Sequence, residues 1–172
     1  MMNEINQEIP WSRNEIYANL LLMIILITFG SAIIISKNWL IVLVFWLFLG
    51  LYLVVGRYVT CRHCDFLGKP CCSWCVGIIG DKLYKRSQVK SFPEVGLWKM
   101  LIFDVLWLFL AILTPYLLYG YYLITEGLKI LDWILLGIYS IIGVLTLYVH
   151  SKGCKKCPIS GCPLSGKRKM ED

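Results

Sequence analysis

IYANLLLMIILITFGSAIII, residues 16–35, is followed by Ser36-Lys37-Asn38 and then by WLIVLVFWLFLGLYLVVG, residues 39–56. Each run is close to the roughly 20 apolar residues a helix needs to cross a bilayer. Asn19 is the only strongly polar residue in the first run. A link as short as Ser36-Lys37-Asn38 forces the two helices to turn back on each other as a hairpin. The pattern returns at residues 100–122 and 131–149, joined by a short loop that carries Glu126, Gly127 and Lys129. The reading is an all-α membrane fold: four transmembrane helices as two antiparallel hairpins, in a single membrane domain over residues 1–172. Cysteine-rich segments, 57–76 and 150–165, follow the second and fourth helices.

Composition agrees. Hydrophobic residues make up 58% of the chain and charged residues 16%, against about 25% charged in a soluble domain. The charge falls in blocks between the apolar runs. A net charge of +6 would suggest nucleic acid in a soluble protein, but no base-stacking or groove-reading pattern accompanies it, and nucleic acid is not expected as a partner. The bilayer is. Ser12-Arg13-Asn14-Glu15 fits a capping box, with Trp11 and Ile16 at staple positions, so the first helix is predicted to start at Arg13. Residues 1–15 lack a basic n-region, and a cleaved signal peptide is not expected.

Orientation follows from charge. With four spans, the N-terminus, residues 57–99 and the tail share one side. They carry one, eight and six of the 17 lysines and arginines, leaving Lys37 and Lys129 opposite. Basic residues near spans mark the cytoplasmic side. The expected location is therefore the cell membrane, multi-pass, with both termini and both cysteine segments cytoplasmic. Trp39, Tyr121, Tyr122 and Trp133 would line the outer interface; Tyr17, Tyr58, Trp98 and Tyr148 the inner one. Residues 76–92 mix apolar residues with Lys82, Lys85, Arg86 and Lys90, as a basic segment on the membrane surface does, though a solvated loop reads the same way. Asp104, one turn into the third span, is read as reaching the headgroups or capping its helix, and Pro115 as a kink whose freed carbonyl a neighbouring helix meets.

The chemistry lies in the cysteines. After the second span come Cys61-Arg62-His63-Cys64, Cys71, Cys72 and Cys75; after the fourth come Cys154-Lys155-Lys156-Cys157 and Cys162. Each half reads as two helices, a C-x-x-C, then another cysteine, which is the pattern of an internal repeat. Two cysteines three apart can offer both sulfurs to one ion across a tight turn. Zinc takes four such ligands as a tetrahedron, and iron–sulfur clusters use the same thiolates, often with cysteine followed by proline. Pro158 follows Cys157 and Pro163 follows Cys162. The candidate ligands are Cys61, Cys64, Cys71, Cys154, Cys157 and Cys162, with Cys72 and Cys75 outside the repeat. An iron–sulfur cluster is favoured over zinc, and a shared site over two separate ones. His63 is read as a turn residue and His150 as interfacial. Disulfides, palmitoylation and a catalytic thiol pair are the competing readings. The first suffers from the reducing side inferred for the clusters, and the second leaves the paired spacing unexplained.

At Cys61, Cys64, Gly68, Lys69 and Cys71, and again at Cys154, Cys157, Cys162 and Pro163, the chain resembles a group of small, uncharacterised four-helix membrane proteins of bacteria and archaea. That resemblance implies the helix layout and the two clusters, and no activity. Three functions are open. The first is electron transfer through a cytoplasmic-face iron–sulfur cluster to a membrane or soluble redox partner protein. The others are a zinc-stabilised structural or assembly role and a membrane thiol–disulfide oxidoreductase. Whether the chain is an enzyme is left open.

Overall fold

Ser12 and Glu15 form the capping box their spacing predicts. The Glu15 N–H donates to the Ser12 hydroxyl at 3.3 Å and the Ser12 N–H donates to the Glu15 carboxylate at 2.9 Å, which satisfies two donors that a helix start leaves open. Helix α1 runs from there, Arg13–Ile35. The computed structural model describes residues 9–64, 66–71, 76–85 and 97–157. Within them α2 is Trp39–Leu51, followed by a π turn at Tyr52–Gly56 and by α3, Arg57–Cys61; then come α4, Val76–Leu83, α5, Leu97–Thr125, and α6, Ile130–Lys155. No strand occurs among the described residues. Four helical stretches, Arg13–Ile35, Trp39–Gly56, Val105–Thr125 and Ile130–Lys155, are long and apolar enough to cross a membrane, consistent with a multi-pass membrane protein.

Packing runs chiefly between the halves of the chain. Along α1 and α6, the Thr146 hydroxyl reaches the Leu22 carbonyl at 3.5 Å, Gly30 faces Tyr139, and Lys37, just past α1, pairs with Asp132 at 2.9 Å. Residue numbers rise on one helix as they fall on the other, so α1 and α6 are antiparallel. Helices α2 and α5 match likewise, through Phe48 stacked on Trp107 and the Tyr122 hydroxyl donating to the Lys37 carbonyl. These two pairings are the most extensive in the bundle, while α5 and α6 touch only lightly. Gly30 permits the tightest approach: a Cβ there would lie 3.1 Å from the Tyr139 ring and 3.3 Å from Phe45. Small residues where helices cross are the usual device for close packing in lipid. At the Lys37 end, the hydrogen bond that the ammonium donates to the Asp132 carboxylate holds the lysine above its ordinary pKa range, and Tyr119 and Tyr122 place their rings beneath the ammonium.

Two helices run on past the spans the sequence predicts. The second span is Trp39–Gly56, as expected, and helical backbone continues through Arg57–Cys61. The Arg57 guanidinium lies over the Tyr52 ring at 4.5 Å and is 3% exposed, so it finds cover in the bundle rather than solvent. The π turn before it takes up one residue more than an α turn. That extra residue rotates the next turns by roughly 100° and so sets where Cys61 falls around the axis. The fourth helix likewise runs past 149 and carries His150 and Cys154 on its last turns. Pro115 is buried in α5; the carbonyl its ring leaves without a helix donor is that of Ala111, while Tyr139 of α6 donates to the next one along, that of Ile112, at 3.4 Å. The Asp104 side chain lies outside the described residues, as do residues 86–92 of the basic segment.

Within that segment, α4 is anchored by its C-terminal neighbour. Tyr84 donates to the Leu53 carbonyl at 2.5 Å and lies 3.2 Å from that of Val54, inside the π turn. Burial pushes the Tyr84 hydroxyl up, so it stays a donor through the neutral range. Tyr84→Phe leaves these carbonyls without their donor, at an expected cost of about 1–2 kcal/mol. The check is a lower unfolding midpoint in detergent together with faster thiol labelling of Cys61, on the helix turn beyond.

Candidate metal centre

Antiparallel pairing puts the start of α1 and the ends of α3 and α6 at one end of the bundle. Both C-x-x-C stretches therefore arrive there. They also fold alike: Cys61 is the last residue of α3 and Cys154 the penultimate residue of α6. The Cys64 N–H bonds the Cys61 carbonyl at 3.0 Å, and the Cys157 N–H bonds the Cys154 carbonyl at 3.0 Å. The repeat seen in the sequence is thus a repeat of backbone geometry, a helix end followed by one tight turn. His63 serves as a turn residue, its N–H bonding the Thr60 carbonyl at 3.4 Å.

Trp11 joins the two turns. Its indole N–H donates to the Gly153 carbonyl at 2.8 Å, immediately before Cys154, and its ring meets Phe66 edge-on at 5.0 Å, just past Cys64. Trp11 is 5% and Phe66 1% exposed. A second link comes from Glu15, which pairs with Lys156 inside the second C-x-x-C. That pair is exposed and contributes little stability; its effect is to orient the turn. Gly68, at φ +85°, takes a backbone conformation that side-chain-bearing residues avoid. It turns the chain back between Cys64 and Cys71, with Asp81 of α4 against it.

Cys61, Cys71, Cys154 and Cys157 are buried and Cys64 is partly so. Burial pushes the Cys64 thiol up, and the nearby charges of Cys61, Cys71 and Cys157 push it the same way. Cys64 therefore senses cysteines from both halves of the chain. A bound cation would reverse that preference at Cys64. Arg57 and Cys61 stand four apart on α3, so a buried guanidinium lies one helical turn from the first thiol.

Among the described residues, no three His, Cys, Asp or Glu side chains converge as metal ligands. The thiols of Cys61, Cys71 and Cys157 each lie within electrostatic range of Cys64. Cys72, Cys75 and Cys162 lie outside the described residues. The chemistry of the donor set, soft thiols in two matched turns, fits zinc or an iron–sulfur cluster. Sequence reading misses two members of this end. It gives Trp11 only a local staple role. It also reads His150 as interfacial, although the His150 Nε2 lies 3.5 Å from the Cys154 sulfur; the signal available is the spacing of four between them on one helix. No family model matches the chain, and neither a curated protein nor a solved structure does.

Proposed function

We propose that this is a multi-pass membrane protein whose two helical hairpins carry one shared metal–thiolate centre at the cytoplasmic face, and that the centre is an iron–sulfur cluster passing electrons to a membrane or soluble redox partner. The observation that carries the proposal is the arrival of both C-x-x-C turns, alike in backbone, at one end of the bundle, where Trp11 bridges them through Gly153 and Phe66. The cytoplasmic assignment rests on the clustering of basic residues at that end. Arg57 supports a centre with net negative charge.

Zinc is the second reading, supported by the imidazole of His150 beside Cys154, since mixed nitrogen and sulfur ligands suit zinc. In that case the ion clamps the two halves, and its binding energy adds to folding. Anaerobic purification separates the readings. Iron with acid-labile sulfide and a colour bleached by reductant supports electron transfer. A colourless protein with stoichiometric zinc moves the function to the clamp. A metal-free protein whose C-x-x-C pairs cycle between thiol and disulfide would replace both with thiol oxidoreduction.

A further inference from the structure

Helix α4 has two unlike sides. One is fixed to the protein. Gly80 is buried, and a Cβ there would lie 3.2 Å from Leu67, in the loop between Cys64 and Cys71. Tyr84, just past the helix, reaches the Leu53 and Val54 carbonyls. Those carbonyls belong to the last turns of a helix fit to cross a membrane, Trp39–Gly56, so Tyr84 holds the end of α4 at the depth of the membrane interface. The other side of α4 is uncovered. Ile78, Lys82, Leu83 and Lys85 are all exposed, Leu83 by 60%. The Leu53 and Val54 side chains, at the same depth, are exposed too.

Tyr84 also joins this surface to α3. Its ring meets that of Tyr58 edge-on at 5.5 Å. Arg62 in turn covers Tyr58, with the guanidinium 4.8 Å from the ring centre and Nη1 donating to the hydroxyl at 2.5 Å. Arg62, Lys82 and Lys85 therefore border one exposed apolar edge. Asp81, the only acid of α4, lies against Gly68 of the cysteine loop, so cations outnumber it. We propose that this surface binds an anionic phospholipid of the surrounding bilayer. The headgroup phosphate meets Arg62, Lys82 and Lys85, and an acyl chain covers Leu83 and the edge of the second span. Lysine stems lie along apolar surface while their ammonium groups stay at headgroup level. A zwitterionic headgroup brings its own cation and leaves the protein's positive charge unmatched. A soluble acidic partner matches the charge but leaves the exposed leucine at interface depth without cover. The site rests on the membrane reading of the fold and not on what the cysteines bind.

The test titrates full-length protein in a neutral detergent with short-chain phosphatidylglycerol, short-chain phosphatidylcholine or inorganic phosphate. The thermal unfolding midpoint is the readout, since a ligand of the folded state raises it. Phosphatidylglycerol is expected to raise the midpoint saturably, and the other two are not. Lys82→Gln and Lys85→Gln combined should weaken the apparent affinity ~25-fold, from about fivefold per lysine near a membrane surface. Arg62→Gln alone should weaken it about fivefold, and it carries the test if the lysine pair unsettles α4. Lys152→Gln is the control. It removes a cation that is also exposed and lies over Tyr148 at 4.5 Å, but on α6, outside the packing of α3 with α4. Its affinity should match wild type. Weakening by Lys152→Gln as large as by Arg62→Gln means diffuse attraction and overturns the site, as does an equal response to phosphatidylcholine. A rise with inorganic phosphate equal to that with phosphatidylglycerol overturns the lipid as its occupant.

Discussion

Trp11→Ala is expected to loosen both cysteine turns at once. The variant loses the indole hydrogen bond to Gly153 and the ring contact with Phe66, and leaves a cavity where a nearly fully buried side chain stood. Large-to-small changes of this kind cost about 3–5 kcal/mol. Because the lost contacts sit beside Cys64 and Cys154, the damage should concentrate at that end. Thiol labelling of Cys61, Cys64, Cys154 and Cys157 should quicken markedly while the Lys37–Asp132 end keeps its protection against hydrogen exchange. Trp11→Phe keeps a ring against Phe66 and loses the hydrogen bond, a cost of about 1 kcal/mol. Labelling rates unchanged in Trp11→Ala would mean that Trp11 does not hold the two turns together.

Gly30→Leu is expected to have the second large effect, at the centre of the bundle. Even a methyl group there meets Tyr139 at 3.1 Å and Phe45 at 3.3 Å. Both rings are almost completely enclosed and have little room to retreat. Tyr139 is further tied to the Ile112 carbonyl and packed on Tyr116. Overpacking of this kind costs about 1–3 kcal/mol or more, and here it pushes α1 away from α2 and α6 together. Gly30→Ala asks the rings to give by a few tenths of an ångström and should sit between wild type and leucine. Thermal unfolding in detergent checks the order. A Gly30→Leu protein as stable as wild type would contradict the close crossing of the three helices.

How far the sequence can be read depends on which interactions are local. Span lengths, the Arg13 start and its capping box depend on neighbours in the chain, and the structure matches them. Arg57 reads as a stop because an arginine after an apolar run usually meets water. Its cover is the Tyr52 ring inside the bundle, next to a π turn whose carbonyls Tyr84 meets from 30 residues away, and no local rule anticipates that. The C-x-x-C turns are legible from spacing. Their approach through Trp11 is not, since a tryptophan just before a helix start reads as a staple for its own helix. His150 is obscured in a similar way: an isolated histidine at the end of a span looks interfacial until the helix is seen to continue to Lys155.

The most direct test of a shared centre is metal and acid-labile sulfide content per chain, measured on anaerobically purified wild type, Cys64→Ser and Cys157→Ser. One centre built from both halves predicts that either substitution alone abolishes stoichiometric metal, with the helical content of the bundle retained. Loss of half the metal in each variant, or a wild type with none, would contradict it.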